Sequence, residues 1–181
     1  MTRHVLSIDV GVRNYAVCAV NIDETTFEVL RLQTWDLGDA KAVPASQLID
    51  RLLQRFEQWE FLRSWAPEMV VVEQQLRGAH LNMALGFATY TWARTRGYTT
   101  RFVRPLTKFR AWKRFPIDND TRSLGTRIST PPKAYRERKR LSIDLCQALL
   151  EHTGQPLLSV WCSASTKQDD LADALLQALA C

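Results

Sequence analysis

The chain has 181 residues, of which 46% are hydrophobic and 24% charged, and this length suits one domain with a sizeable core. No apolar run approaches the length that a membrane-spanning helix needs, and the four cysteines and three histidines lack zinc-site spacing. The N-terminal residues show no secretory pattern, so we expect an intracellular, cytoplasmic protein with reduced cysteines.

Three consecutive strands are predicted in the first part of the chain. Segments rich in apolar residues lie at 5–10, 15–22 and 27–37, separated by short turns that contain Gly, Asn and Asp. Such closely spaced strands pair as an antiparallel meander.

Helices and strands then alternate. One-faced apolar spacing predicts a helix at 46–65 ended by Pro67, and a short run of apolar, β-branched residues predicts a strand at 69–73. A helix at 79–96 ended by Gly97 and a strand at 100–103 are predicted next. A long loop is predicted at 106–130, with one helical turn around 108–114, and helices at 133–152 and 167–180 follow. The order predicts an α/β fold of one domain, 1–181: a mixed five-stranded sheet with helices on both faces.

Positive charge is concentrated in one stretch. Residues 94–140 contain 15 Lys and Arg but only 3 Asp and Glu, whereas the flanks are acidic. This asymmetry predicts a polyanionic partner, most simply DNA bound through its phosphates. The candidate DNA-binding residues are Arg104, Lys108, Arg110, Lys113, Arg114, Lys133, Arg136, Lys139 and Arg140. The interleaved Phe109, Trp112 and Phe115 either pack in the core, which we favour slightly, or stack on exposed bases.

Acidic residues occur at three places that this fold would bring together. Asp9 lies in the first apolar strand, Glu73 ends the fourth strand, and Asp169, Asp170 and Asp173 open the last helix. Each has an ordinary explanation alone: a turn cap, an exposed strand end and complementation of the helix dipole. Together they predict a site for Mg²⁺ or Mn²⁺, which prefer oxygen ligands. Helical spacing does not choose between Asp169 and Asp170.

The same positions carry a family resemblance. The segment SIDVGVRN (7–14) resembles the first-strand motif of the RuvC-type Holliday junction resolvases, which belong to the RNase H-like superfamily. The segment VVEQQ (71–75), with Arg77, resembles their second motif, especially in the poxvirus and mitochondrial branch. The segment KQDDLADAL (167–175) resembles their closing helix. A basic insertion at about 106–132 also resembles that branch, so no bacterial cleavage-sequence preference is carried over.

The resemblance implies specific site residues. Asp9, Glu73, Asp170 and Asp173 become catalytic, metal-binding carboxylates for two Mg²⁺ ions, and Mn²⁺ is expected to substitute. Asp169 becomes a neighbour, and Lys167 a second basic contributor near the scissile phosphate.

The implied activity is a Mg²⁺-dependent endonuclease that resolves four-way DNA junctions by paired symmetric nicks. Such an enzyme acts as a homodimer, with no membrane partner. The helix at 79–96, with Leu81, Met83, Leu85, Phe87 and Trp92, is the candidate dimer interface, and its alternative is a buried core helix. The alternative functions are an RNase H-like nuclease on other branched DNA or RNA, and a non-catalytic DNA-binding module. The branch resemblance would place the protein in a viral factory or a mitochondrion.

Overall fold

The structure, a computed structural model, describes residues 1–115, 134–155, 161 and 168–181, apart from the side chains of residues 112 and 113. The strands are β1 (Arg3–Asp9), β2 (Tyr15–Ile22), β3 (Phe27–Trp35), β4 (Met69–Glu73) and β5 (Thr99–Val103). The helices are α1 (Ala45–Gln58), α2 (Glu60–Trp65), α3 (His80–Thr95), a 3-10 helix (Pro105–Arg110), α4 (Ala111–Arg114), α5 (Tyr135–His152) and α6 (Gln168–Leu179).

The five strands form one mixed sheet in the order β3-β2-β1-β4-β5. The meander β1-β2-β3 is antiparallel, because short turns reverse the chain, whereas β4 and β5 run parallel to β1 after helical crossovers. The predicted mixed five-stranded sheet, with a meander followed by alternating helices and strands, is therefore confirmed.

Side-chain alternation along the strands divides the core into two layers. Leu6 and Ile8 of β1 point to the layer covered by α1, α2 and α3, while Val5 points to the layer covered by α5 and α6. Helices thus cover both faces of the sheet, as predicted. A period of two places Asp9 on the same face as Val5, and β4 places Glu73 on the same face as Val71. Both carboxylates therefore face α6.

The prediction of a single helix at 46–65 is wrong, because the helix is interrupted at Trp59, which follows α1 and precedes α2. The rings of Trp59 and Phe61 lie 5.5 Å apart, and Trp59 also packs edge-on against Trp35 at 5.2 Å. Residues two apart on a continuous helix do not face each other, so this aromatic packing requires the break.

The predicted loop at 106–130 begins as helix. Its described part forms the 3-10 helix and α4, so the expected helical turn around 108–114 is confirmed and starts earlier, at Pro105. Phe109 and Phe115 are buried in the core, which confirms packing rather than base stacking for these two rings. Residues 116–130 and the side chain of Trp112 lie outside the described residues.

Across the parts of the chain that the structure describes, each helix falls short of the length and apolar character that crossing a bilayer requires.

Candidate metal centre

Two carboxylates lie side by side at the carboxyl edge of the sheet. In the parallel pair β1-β4, Ser7 is opposite Val71 and Ile8 is opposite Val72. Asp9 and Glu73 each follow as the last residue of their strand. Strand register alone therefore brings together two acids that are 64 positions apart in the chain.

The third carboxylate comes from α6, which packs across β1 and β2 on this face. Asp173 lies on the first turns of α6 and is only 8% exposed. Oxygen atoms of Asp9, Glu73 and Asp173 all lie within 4.8 Å of one another. We call these three residues the carboxylate cluster.

The carboxylate cluster concentrates negative charge in a buried place. Burial raises the pKa of the Asp9 carboxyl well above its ordinary value, and the carboxyl groups of Glu73, Asp173 and Asp170 raise it further. The buried Oδ1 of Asp173 has no hydrogen-bond partner among the described residues. Crowded carboxylates with an unpaired buried oxygen are suitable ligands for a hard divalent cation. A bound cation would reduce the repulsion between the carboxylates and would give the unpaired oxygen a partner.

Two lysines from neighbouring elements contact aspartates of α6. Lys108 of the 3-10 helix is 6% exposed, and its Nζ lies 2.5 Å from Oδ2 of Asp173. Lys139 of α5 forms an ion pair with Asp169, and its Nζ lies 3.8 Å from Oδ1 of Asp170. These cations compensate part of the negative charge on the first turn of α6.

The structure therefore brings three of the four predicted metal-binding carboxylates within ligand distance of one another. Asp170 lies outside this group of three but close enough to raise the pKa of Asp9. Asp169 and Asp170 are both partly buried and both face Lys139, so the contact with this lysine does not separate them.

One residue of the site was missed from the sequence. Gln177 of α6 is fully buried, and its Nε2 donates a hydrogen bond to Oε2 of Glu73 at 2.6 Å. It lies four residues after Asp173, and therefore on the same side of the helix. The sequence does contain a signal for it: a polar residue four positions after an aspartate, within an otherwise apolar part of the helix.

The predicted DNA-binding residues differ in how exposed they are. Exposed side chains, as phosphate contacts require, belong to Arg104, Arg110, Arg136 and Arg140. Lys108 is buried, and its ion pair with Asp173 places it beside the carboxylate cluster rather than among these exposed basic side chains. Lys133, Lys167 and the side chain of Lys113 lie outside the described residues.

Arg114, which was also predicted to bind DNA, is partly buried. Its Nη2 donates to the backbone carbonyl of Asp23, just after β2. Because Ile22 pairs with Arg3, the first residue of β1, this contact lies at the end of the sheet opposite Asp9. Arg114 is thus remote from the carboxylate cluster.

The apolar side chains of α3, the candidate interface helix, differ in burial. Leu85 and Trp92 are buried in the core, which favours the core-helix alternative for these two side chains. Phe87 is 57% exposed, and its ring packs edge-on against Phe102 of the edge strand β5. Only part of the predicted apolar surface is therefore open to a partner.

Comparisons with known structures find the same fold in two resolvases. Thermus thermophilus RuvC matches with a TM-score of 0.62 and 18% identity, covering 98% of this chain and 92% of that one. The yeast mitochondrial Holliday junction resolvase Ydc2 matches with a TM-score of 0.64 and 17% identity, covering 98% and 78%. T. thermophilus RuvC in complex with a Holliday junction substrate matches equally well, with a TM-score of 0.62 and 18% identity, covering 98% and 91%. At these identities the likeness establishes the RNase H-like fold.

A search of curated protein sequences found no significant match. The family model described as "Poxvirus A22 protein" matches residues 3–181, nearly the whole chain. The chain therefore belongs to the poxvirus A22 protein family and has the fold of the RuvC-type resolvases, as its three motifs predicted.

Proposed function

We propose that this protein is a Holliday junction resolvase that hydrolyses phosphodiester bonds at the carboxylate cluster. The observation that carries the proposal is the convergence of Asp9, Glu73 and Asp173 within 4.8 Å at the sheet edge. Family membership and the resolvase fold supply the substrate class, a four-way DNA junction.

The carboxylate cluster is the proposed ligand set for divalent cations, with Asp170 as the fourth ligand. Mg²⁺ bound there, as two ions, would activate a water molecule and stabilise the leaving oxygen; Mn²⁺ is expected to substitute. The rest of the site positions these ligands: β1 and β4 fix Asp9 and Glu73, and α6 carries both aspartates.

Lys108 and Lys139 are the proposed basic residues of the reaction centre. Both ammonium groups lie against carboxylates of α6, where the negative charge of a cleaved phosphate would develop. A preorganised cation stabilises such charge more effectively in a buried site than in water. Lys167, the basic residue that the family resemblance implied, stays a proposal alongside them.

DNA binding is assigned to the exposed arginines around the centre. Arg136 and Arg140 lie on α5, the helix that delivers Lys139 to α6, and Arg104 and Arg110 flank Lys108. Phosphate contacts from these side chains would set the junction strand over the carboxylates.

We further propose a homodimer. A four-way junction has two opposed strands to cut, so symmetric cleavage calls for two copies of the site. The exposed Phe87, packed with Phe102 and near Tyr90, provides an aromatic surface on α3 and β5 for that contact.

The poxvirus family favours the cytoplasmic viral factory over the mitochondrion as the setting.

Cleavage of a labelled four-way junction in Mg²⁺, with a linear duplex and an RNA substrate beside it, tests the proposal. The wild-type protein should nick opposed strands of the junction and leave the linear substrates uncut. Asp9→Asn and Asp173→Asn should bind the junction but lose at least 100-fold in cleavage rate. Junction binding without cleavage in Mg²⁺ or Mn²⁺ would mean a non-catalytic binding module. Equal cleavage of duplex or RNA would mean a nuclease of another specificity.

A further inference from the structure

Gln177 is buried against a proposed metal ligand without being an acid itself. It is 0% exposed, and its amide reaches across from α6 to β4, where Nε2 donates to Oε2 of Glu73 at 2.6 Å. An ionised carboxylate only accepts hydrogen bonds, so the amide nitrogen is the atom that must face it. The donor in this contact is thus a neutral group.

A packing role does not explain an amide at this position. The neighbouring residues of α6, Leu176 and Ala178, are fully buried and apolar. The Oε1 atom of Gln177 is a buried acceptor without a hydrogen-bond partner in the described parts of the chain, which is unfavourable. A leucine or methionine would fill the same space without that unfavourable group. The hydrogen bond to Glu73 is what the amide adds.

The hydrogen bond restricts how Glu73 can present its carboxylate. Glu73 is the last residue of β4, so its backbone is held by the sheet, but its long side chain has several rotatable bonds. Engaging Oε2 fixes the carboxylate plane and leaves the other oxygen for a cation or for Asp9. Because the amide is neutral, it does so without competing with a cation, unlike Lys108 at Asp173.

We propose that Gln177 is a positioning residue that holds Glu73 in the orientation in which it binds a divalent cation. This inference rests on the metal centre of the proposed function. Hydrogen-bonding partners of metal ligands typically contribute about 10- to 100-fold to metal affinity. Removing the amide donor should therefore weaken cation binding by about 10-fold while the fold is retained.

The test measures Mn²⁺ affinity of the full chain by calorimetry without DNA, so that cleavage does not enter the readout. Gln177→Met keeps the length of the side chain and removes the donor. Gln147→Met is the matched control, because Gln147 on the surface of α5 donates an equivalent 2.8 Å hydrogen bond to Glu151. Gln177→Leu serves as the second core variant. Thermal unfolding in EDTA reports the stability of each variant without metal.

The proposal predicts about 10-fold weaker Mn²⁺ binding for Gln177→Met and no change for Gln147→Met, with no fall in the metal-free Tm of either. Unchanged Mn²⁺ affinity in Gln177→Met overturns it. A fall in metal-free Tm, or failure of both Gln177 variants to fold, assigns a packing role and overturns it too. If the wild-type chain itself binds no Mn²⁺, the proposed metal centre is wrong. That result differs from the one in which only the role of Gln177 is wrong, because there the wild type binds Mn²⁺.

Discussion

Asp9 is the residue at which the requirements of folding and of the proposed chemistry conflict most. Its carboxyl is buried beside Glu73 and near Asp173, and all these effects raise its pKa. The folded state therefore holds the Asp9 proton at pH values at which the unfolded chain has released it. Between the ordinary pKa and the raised one, the free energy of unfolding falls as the pH rises. The buried carboxylates of the proposed metal centre would thus reduce the stability of the protein at neutral pH when no metal is bound.

Asp9→Asn should therefore be more stable than the wild type when metal is removed. We expect a gain of about 0.5–2 kcal/mol at neutral pH, typical of a trade-off between stability and function. The gain should vanish as the pH falls toward 4, because Asp9 is then protonated anyway. Thermal unfolding in EDTA across pH measures it, and Asp50→Asn, on the exposed side of α1, is the control. An Asp9→Asn variant that is less stable than the wild type at neutral pH would contradict this account.

Lys108 and Asp173 form the complementary case of a buried ion pair. Removing one partner of such a pair leaves an uncompensated buried charge, which destabilises a protein by about 3–5 kcal/mol. Lys108→Met should therefore lower the Tm markedly, because Asp173 then lies beside the carboxylates of Asp9 and Glu73 without its lysine partner. The double variant with Asp173→Asn should recover much of the loss. Additive losses in the double variant would show that the two side chains are not coupled in the folded state.

Among the elements, α5 connects the basic surface to the acidic centre. Lys139 points to Asp169, whereas Arg136 and Arg140 are exposed on the same helix. Phosphates bound by these arginines would therefore lie close to the carboxylate cluster.

Replacing Arg136 and Arg140 with alanine should weaken junction binding and flatten its salt dependence. Each lost phosphate contact lowers the slope of log K against log salt by about 0.9. The control is Arg51→Ala with Arg55→Ala on α1, which packs on the other face of the sheet. Titrations in calcium buffers at several salt concentrations give the slopes. A control pair that flattens the slope as much would move the DNA surface to the other face.

The helix α3 is the element proposed to join two copies. Phe87→Lys places a charge in the exposed aromatic surface and should convert a dimer to a monomer with little change in Tm. Gln54→Lys adds the same charge to the exposed side of α1 and should leave the dimer intact. Analytical ultracentrifugation measures both. A wild-type monomer at micromolar concentration, or a Phe87→Lys dimer, would exclude this surface as the interface.

The elements also show where prediction from sequence succeeds. Runs of apolar residues with defined turns predicted the sheet, because strand burial depends on a local pattern. The break at Trp59 was not predictable, since it depends on packing with Trp35 across the fold. At the site, Asp9 and Glu73 were found because acids are rare in apolar strands. The ion pair of Lys108 with Asp173 was not predicted, because the charge of a lysine alone does not reveal its partner in the fold.

At the scale of the whole molecule, Lys108 and Lys139 lie beside the acidic residues of α6, at the end of the sheet where Asp9 and Glu73 stand. The sheet fixes Asp9 and Glu73 by register, α6 adds Asp173, and the 3-10 helix and α5 each supply a lysine. Each copy holds one such centre, so the proposed paired cleavage of opposed strands calls for two copies.

The most direct test of that central claim uses a supercoiled plasmid that extrudes a cruciform from an inverted repeat. In Mg²⁺ the wild-type protein should convert it to linear DNA, with one nick at corresponding positions of each opposed strand and ends that a ligase can reseal. Asp9→Asn should leave it supercoiled. Nicked circles alone would contradict paired cleavage, and equal cutting of a plasmid without the repeat would contradict the resolvase function itself.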